Sequence, residues 1–539
     1  RDSPFSVGKI AIYAALDYNK PRRRGRCFLG TLAYWRKGRI TMQNVITVAT
    51  MRDSDAHTIA EYTPSRELMH RAALGVYQAA DWTGKTVAIL TGGGNNGGDG
   101  SVCASLLADK FDVSAAYVCG EPKTELAKKA FALIDSKKVK IITENVDFGN
   151  ADIVVDCIFG TGFHGEFREN IQFLMSRFAR SDTYKIACDM PSGVDCLRGK
   201  IAAETVKFDE TITFHAMKFG MALKPALSVC GKIEIANIGI PDGWEEYLDD
   251  RMSSHEIFGS ELHKMLPARP EYSHKGTFGK VLLICGSENY IGAAAICSRA
   301  ALHTGCGIVN LAAPHSVISI IAASAPECVY TPLETEGGTI SSCEIDELVK
   351  LANSHSAVAV GCGIGRSEST RRLVEALVKK VRVPLLIDAD GINQLALNID
   401  VLRDKNCEIV LTPHIGELAR LSGRTTAEAS AERYAICRKL SEKYGVTLHS
   451  KDATSVTFSN GKAAITNFGC SALAKGGSGD MLAGVIASLL AQGVTAAEAC
   501  ALGDYICGKT AEILCEKYSP AAVTASDIIN AFKETLTIL

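Results

Sequence analysis

Two groups of residues in this chain have the types and spacing to do chemistry. The first is Ala474-Lys475-Gly476-Gly477-Ser478-Gly479-Asp480-Met481, where glycines crowd a short turn, an acid closes it and apolar residues follow to Leu490. Glycines let the backbone turn tightly and approach a ligand. The unpartnered amides and dipole of the following helix make a place for a phosphate or a developing anion. Asp480 at that helix start would sit beside the anion, where a carboxylate can take a proton from a hydroxyl. The same residues also read as a plain Gly-rich loop with an N-capping Asp. The second group comprises Asn95-Asn96-Gly97-Gly98-Asp99, Asp156 followed by Gly160-Thr161-Gly162-Phe163-His164-Gly165-Glu166, and Asp189-Met190-Pro191-Ser192-Gly193. Asn carbonyls, a carboxylate and a hydroxyl form a hard-oxygen set suited to an alkali or alkaline-earth cation.

The elements that must position these residues follow from periodicity. Met51 to Ala80 has helical spacing, with a restart at Thr63-Pro64-Ser65-Arg66-Glu67. Short apolar strands are expected at Lys85 to Leu90, Val113 to Val118, Val139 to Ile142, Ile153 to Cys157, Ile186 to Asp189 and Thr211 to His215. A helix is expected from Ser101 to Lys110, with others between several of the strands. That alternation predicts a doubly wound parallel sheet, in which ligands bind beyond the carboxyl ends of the strands. The three polar motifs of the first half should therefore converge on one pocket. Gly92 to Gly97 matches the dinucleotide fingerprint as a pattern. Its Asn-Asn interior, and a following strand with no acid at its tip, make an ordinary dinucleotide-redox domain a poor fit. The second half repeats the alternation, with Val281 to Cys285, Val358 to Val360, Leu385 to Ile387, Ile409 to Leu411 and Thr447 to Ser450 as strands. A boundary is expected near Trp244 to His255. The small residues from Gly292 onward, in a helix running to about His303, suit either close packing or close approach of a ligand.

The chain has 539 residues, 47% hydrophobic and 22% charged, with net charge -2, a globular composition long enough for two or three domains. It gives no argument for nucleic acid or a membrane surface as partner. No apolar run is long enough to span a bilayer. The 19 cysteines are scattered without a CxxC pair, which points to small buried hydrophobes in a reducing, cytoplasmic compartment, not a disulfide framework or zinc site. Residues 1–45, with Arg22-Arg23-Arg24, Arg26, Arg36, Lys37 and Arg39, read as a disordered basic extension. Small-residue helices and the apolar composition suggest a homo-oligomer.

Asn-Asn-Gly-Gly-Asp-Gly after a strand, then Asp-x-x-x-Gly-Thr-Gly, then Asp-x-Pro-Ser-Gly, resembles the YjeF N-terminal family, the NAD(P)H-hydrate epimerases, over about Met51 to Trp244. The resemblance implies a site for hydrated NADH or NADPH with a bound potassium ion. It implies Asn96, Asp156 and Ser192 as potassium ligands. It implies Asn95 to Asp99, Gly160 to Glu166 and Asp189 as substrate contacts, with Asp189 the acid/base that inverts the hydroxyl-bearing ring carbon. The stretch Gly-Phe-His-Gly-Glu departs from the family, which more often has Leu and a basic residue there.

In the second half, His-Lys-Gly-Thr-Phe-Gly from His274, Gly-Cys-Gly-Ile-Gly from Gly361, Asp-Ala-Asp-Gly from Asp388, Thr-Pro-His-Ile-Gly-Glu from Thr412 and Gly-Gly-Ser-Gly-Asp from Gly476 occur in one order. The set resembles the ADP/ATP-dependent NAD(P)H-hydrate dehydratases, a branch of the ribokinase-like superfamily, over about Glu256 to Leu539. It implies a ribokinase-like α/β fold beside the Rossmann-like first half, with domains at 46–250 and 256–539. It implies Lys451, Asp452, Ala453, Thr454, Ser455, Gly476, Gly477, Ser478 and Gly479 as nucleotide contacts. Ala293, Gly363, His414 and Asp480 would contact the hydrate, with Asp480 catalytic, ADP or ATP as co-substrate and magnesium on its phosphates. The family usually has Lys-Gly where this chain has Lys451-Asp452. Read from its residues, His414 could equally cap the helix at Ile415. Two other classes stay open: a small-molecule kinase of a vitamin precursor or sugar, and a first half that only binds.

Overall fold

Between Thr86–Thr91 and Ile153–Cys157 the strand order of the first half reverses, and the rest of that half is built around this point. A computed structural model describes residues 43–143, 146–241, 255–257, 262 and 265–537. Seven parallel strands lie in the order Val139–Ile142, Asp112–Tyr117, Thr86–Thr91, Ile153–Cys157, Tyr184–Cys188, Glu210–Phe214 and Lys232–Ala236. Their apolar runs are buried on both faces. Val87 and Ile89 join one core with Ala72, Val76, Cys103 and Leu107. Ala88 and Leu90 join the opposite core with Ile171, Met175 and Phe178. Successive strand residues point to opposite faces, so a run without polar alternation needs helices on both sides. Ser65–Ala79 and Asn95–Leu107 cover one face, and Glu169–Arg180 the other. Expected elements and observed ones agree to within a few residues, except that the motif Asn95 to Asp99 is itself the first turn of a helix. Gly97 explains this local choice: a Cβ there would stand 1.9 Å from the Gly92 carbonyl oxygen.

The second half carries a twelve-stranded sheet. From one edge its strands are Val329–Leu333, Ile308–Pro314, Lys280–Ile284, Ala357–Val360, Leu385–Ile387, Ile409–Leu411 and Thr447–Ser450, all parallel, then the antiparallel pair Ser455–Ser459 and Lys462–Thr466. The last three strands come from early in the chain: His255–Ile257, Gln43–Ile46 and Met217–Lys218. This corrects the expectation for residues 1–45. Residues 1–42 lie outside the described residues, but Gln43–Ile46 is a strand with Val45 and Ile46 fully buried. Burying two β-branched residues at roughly 2 kcal/mol each contributes to ordering this four-residue strand, alongside its ladder hydrogen bonds to the strands on either side. The expected boundary at Trp244 to His255 lies outside the described residues save for His255.

Helix Ser478–Ala491 is buried on every side from Met481 to Ala491. It packs on Ile291–His303 so closely that a Cβ on Gly484 would come 2.2 Å from the Cys297 carbonyl oxygen. The small residues of Ile291–His303 thus serve helix packing along that face. Among the described residues no helix is long and apolar enough to cross a membrane.

Candidate active sites

The loops after Thr86–Thr91 and Ile153–Cys157, at the reversal point, open onto a cleft of about 1040 Å³. Asn95, Asn96, Asp99, Gly160, Thr161, Gly162, Phe163, His164, Glu166 and Asp189 line it. Gly97, Gly98 and Gly165 do not; Gly98 packs beneath, where a Cβ would meet Met69 at 2.5 Å. Phe159, Phe163 and Phe167 form one aromatic wall, with centroids 5.1 to 6.2 Å apart. The departures from the family pattern are occupied locally. His164 Nδ1 lies 3.6 Å from Asp195, and Glu166 accepts from the Ala203 amide at 2.9 Å.

Asp156 is fully buried and accepts from the Ser192 amide at 2.8 Å and the Ser192 hydroxyl at 2.7 Å. Ser192 Oγ in turn accepts from the Phe159 amide at 2.9 Å. Burial pushes the Asp156 carboxyl up to about 6, against the pull of the Ile158 and Ser192 hydrogen bonds. Both side-chain atoms of Asn96 are buried without a hydrogen-bond partner, which native structures rarely tolerate unless a ligand completes them. Three sequence-expected cation ligands thus supply hard oxygens, one of them an orphaned amide. That donor set fits a potassium ion.

Asp189 follows strand Tyr184–Cys188 with φ +64°, a conformation rare for a side-chain-bearing residue and concentrated at functional sites. One carboxylate oxygen, Oδ1, is held by Lys218 Nζ at 2.6 Å. The other, Oδ2, lies where a Cβ on Gly160 would come to 3.2 Å, so it faces the cleft. Lys218 is fully buried and also donates to Thr213 Oγ1 at 2.7 Å and to the Phe214 carbonyl at 3.0 Å. Sequence reading missed Lys218, which lies on no motif and sits in a two-residue strand. It also missed Asp55, from helix Val48–Glu61, which lines the cleft and is pushed up to about 6 by burial against the opposing pull of Lys218. Asp99 is raised well above the usual range by its enclosure, with Asp189 and Asp55 adding to the rise.

In the second half, Gly477 adopts φ +91° as the N-cap of helix Ser478–Ala491, so the Gly-Gly-Ser-Gly-Asp motif enters the helix. A side-chain Cβ would be strained there. Lys475 fixes the loop by donating to the Ala521 and Val523 carbonyls, both at 2.6 Å. Gly476 faces open space, and the buried Ser478 hydroxyl has no partner. The Ser478 amide donates to the Lys475 carbonyl at 3.4 Å; an open glycine, the Gly479 and Asp480 amides and an orphaned hydroxyl together fit an anion. Asp480, in the first turn, is pushed up to about 6 by burial, with Asp388 adding to the rise and Cys362 and Lys451 opposing it.

Lys451 turns its ammonium toward Gly479 and pairs with Asp388 Oδ1 at 2.6 Å. Burial works against its charge, but the Asp388 and Glu417 carboxylates outweigh it and hold Lys451 above its ordinary value. Thr412 also donates to Asp388 at 2.7 Å. Asp388 and Asp390 were legible as a motif but not as site residues; Asp390 accepts from the Gly365 amide and from Arg366. Asp452 does not face the phosphate loop as an uncompensated charge, because Arg433 Nη1 donates to it at 2.8 Å. His414 is the N-cap of Ile415–Ser422, accepting from the Gly416 amide, with Nε2 3.1 Å from Glu417. Gly363 and Ala293 face each other across the rim, where a Cβ on Gly363 would meet that of Ala293 at 2.9 Å. Beneath Asp480, the thiols of Cys285, Cys297 and Cys362 cluster, all buried and raised well above their usual range, and therefore neutral.

Comparison with known proteins agrees with this division. The family described as YjeF-related protein N-terminus matches residues 65–220, and that described as NAD(P)H-hydrate dehydratase matches residues 281–534. The bifunctional NAD(P)H-hydrate repair enzyme of Moorella thermoacetica is 31% identical over 508 residues, covering 90% of this chain and 95% of that protein. That of Archaeoglobus fulgidus is 33% identical over 475 residues, covering 87% and 93%. Among solved structures, the ADP/ATP-dependent NAD(P)H-hydrate dehydratase of Bacillus subtilis is 25% identical, with a TM-score of 0.45, covering 52% of this chain and 98% of that one. With both half-chain families in the same order, and full-length relatives above 30% identity across nearly their whole length, the chain belongs to the bifunctional NAD(P)H-hydrate repair enzymes.

Proposed function

We propose that this chain interconverts the R and S forms of hydrated NADH and NADPH in its first half, and dehydrates the S form in its second. For epimerisation, the observation that carries the reading is the asymmetric clamp on Asp189: Oδ1 pinned by Lys218, Oδ2 turned to the cleft beside the orphaned Asn96 amide. A carboxylate oxygen so held is positioned to take the proton of the ring hydroxyl as the carbon–nitrogen bond opens to an aldehyde, and to return it as the nitrogen recloses on the opposite face. The Phe159, Phe163 and Phe167 wall offers the ring an apolar surface. A potassium ion held by Asn96, Asp156 and Ser192 would fix the loops that carry these groups. Ser192→Ala is expected to raise the potassium concentration for half-maximal epimerisation about tenfold, measured by chromatographic resolution of the epimers. An unchanged salt response refutes the ligand assignment.

For dehydration, hydroxide leaves poorly, so the hydroxyl is first made into a phosphate ester. Asp480 takes the hydroxyl proton as its oxygen attacks the terminal phosphoryl group of ADP or ATP. The Gly479 and Asp480 amides and the Ser478 hydroxyl stabilise the charge that develops. The ring nitrogen's lone pair then expels phosphate, the adjacent ring carbon gives up a proton to the departing phosphate or to water, and the ring double bond of the reduced nicotinamide is restored. Magnesium, when bound on the nucleotide phosphates, would neutralise their charge; the carboxylates of Asp388, after strand Leu385–Ile387, and Glu417, in the first turn of helix Ile415–Ser422, are hard-oxygen donors of the kind it takes. Because Asp480 must be ionised to act, and burial holds it at about 6, kcat/KM for dehydration is expected to be level above pH 7 and to fall tenfold per unit below pH about 6. A profile flat to pH 5 overturns the assignment. The deciding experiment is recovery of dihydronicotinamide absorbance from a mixed-epimer sample with nucleotide, magnesium and potassium. Complete recovery is expected. Recovery that halts with the S fraction removes the epimerase, and a stable phosphorylated product would mark a kinase.

A further inference from the structure

Met217 to Lys224 belongs to the first half by sequence, yet it makes specific contacts with the second. Met217–Lys218 pairs in parallel with Gln43–Ile46 at the end of the second half's sheet. Lys218, at the head of the segment, holds Asp189. Phe219 stands edge-on to Tyr434, with centroids 5.1 Å apart and planes at 88°. At the tail, the Ala222 carbonyl accepts from Asn467 Nδ2 at 2.9 Å, and the Lys224 amide donates to Thr454 Oγ1 at 2.8 Å. Thr454 closes the circuit by donating to Asn467 Oδ1 at 2.6 Å, and Lys224 Nζ donates to the Asn467 carbonyl at 3.3 Å. Arg433, next to Tyr434, clamps the same loop through the Ser450 and Thr454 carbonyls and the Asp452 carboxylate. Between head and tail, Phe219, Met221, Ala222 and Leu223 are buried, and interiors packed at this density transmit displacement instead of absorbing it.

From this we infer that Asn467 and the Met217–Lys224 strap are positioning residues for the Lys451–Ser455 loop: the epimerase half sets the shape of the dehydratase's nucleotide site, and nucleotide there tightens the hold of Lys218 on Asp189. The inference rests on the reading of Lys451–Ser455 as nucleotide contacts. Asn467 carries it because it joins both sides at once, giving its amide proton to the strap and its oxygen to the loop. Asn467 itself lies in no sequence motif of either half. A residue whose only role was to glue domains would affect stability and leave substrate parameters alone.

The test uses the full chain carrying Asp480→Asn, so that hydrate is not consumed, and follows the epimer ratio by chromatography and nucleotide affinity by calorimetry with ADP and a non-hydrolysable ATP analogue. Saturating nucleotide is expected to raise the epimerisation rate about fivefold. Adding Asn467→Asp replaces the donor to Ala222 with a carboxylate oxygen and keeps the acceptor for Thr454. It is expected to abolish that response and weaken nucleotide binding about tenfold, with the epimerisation rate in the absence of nucleotide and the melting temperature nearly unchanged. Phe219→Leu, which removes the ring contact with Tyr434, is a second route and is expected to blunt the same response. Epimerisation indifferent to nucleotide that demonstrably binds, with unchanged affinity in Asn467→Asp, overturns the coupling and leaves the loop assignment standing. Failure of the parent chain to bind nucleotide overturns the loop assignment itself.

Discussion

Asp480→Asn is expected to lower kcat for dehydration about a thousandfold or more, with nucleotide affinity nearly unchanged. The amide keeps the size and hydrogen-bonding reach of the carboxylate but cannot accept the hydroxyl proton. General-base catalysis of this kind contributes about 10²- to 10⁴-fold. The effect should reach the upper part of that range because Asp480 combines half-burial with two nearby carboxylates, Asp388 and Asp390, which hold it at about 6, close to the working pH. The anion-stabilising parts of the site, the Gly477 turn and the Ser478 hydroxyl, are untouched. Single-turnover release of phosphate and reduced cofactor, measured beside calorimetric nucleotide binding, checks both clauses. Turnover within tenfold of the parent would remove Asp480 as the base.

Lys218→Met is expected to suppress epimerisation at least a hundredfold and to cost about 3 kcal/mol of stability. Methionine keeps the apolar stem and removes the ammonium. Lys218 is fully buried and gives its protons to Asp189 Oδ1, Thr213 Oγ1 and the Phe214 carbonyl, so its removal strands a buried carboxylate and two further acceptors. Breaking a buried pair from one side is far more damaging than replacing both partners. Asp189 would then sit beside Asp99 and Asp55 with its counter-charge gone and its oxygen free to swing out of line. The double replacement Lys218→Met with Asp189→Asn should regain much of the lost stability and none of the activity. A folded Lys218→Met chain that epimerises at the parent rate would show that Asp189 needs no such clamp.

The parts of this architecture that were legible in the sequence were those written in local patterns. Val281 to Cys285 and Leu385–Ile387 were legible as uninterrupted apolar runs between turn residues, because a strand buried on both faces has no alternation to hide. Asp156 was legible at the tip of the strand Ile153–Cys157, Asp189 directly after the run Tyr184–Cys188, and Asp480 between a Gly-rich turn and an apolar helix. What escaped reading was tertiary. Lys218 belongs to a two-residue strand whose partner, Gln43–Ile46, lies far upstream, and no window of sequence holds both. Asn95 to Gly98 reads as loop from its composition, yet close packing of Gly97 on Gly92 and of Gly98 on Met69 draws it into the helix. The partner of Asp452 was not legible either, because Arg433 sits on the helix Arg433–Tyr444, apart from the loop that carries Asp452.

Gln43–Ile46 stands between His255–Ile257 and Met217–Lys218 in the second half's sheet, and this placement constrains how the chain can be made. During synthesis this strand leaves the ribosome before every other described strand. Its place is complete only after Lys462–Thr466, the strand that carries His255–Ile257 in the sheet, has been translated. Until then Val45, which packs in the second half's core, has no core to enter, and the first half must wait with that apolar edge exposed, the state most open to chaperones and aggregation. A gene cut between the halves would leave His255–Ile257 as a bare edge on one product and Gln43–Ile46, paired only with Met217–Lys218, as a bare edge on the other. Separately expressed halves should therefore be less soluble than the whole, and mixing them should recover what cutting lost only where these strands find each other again.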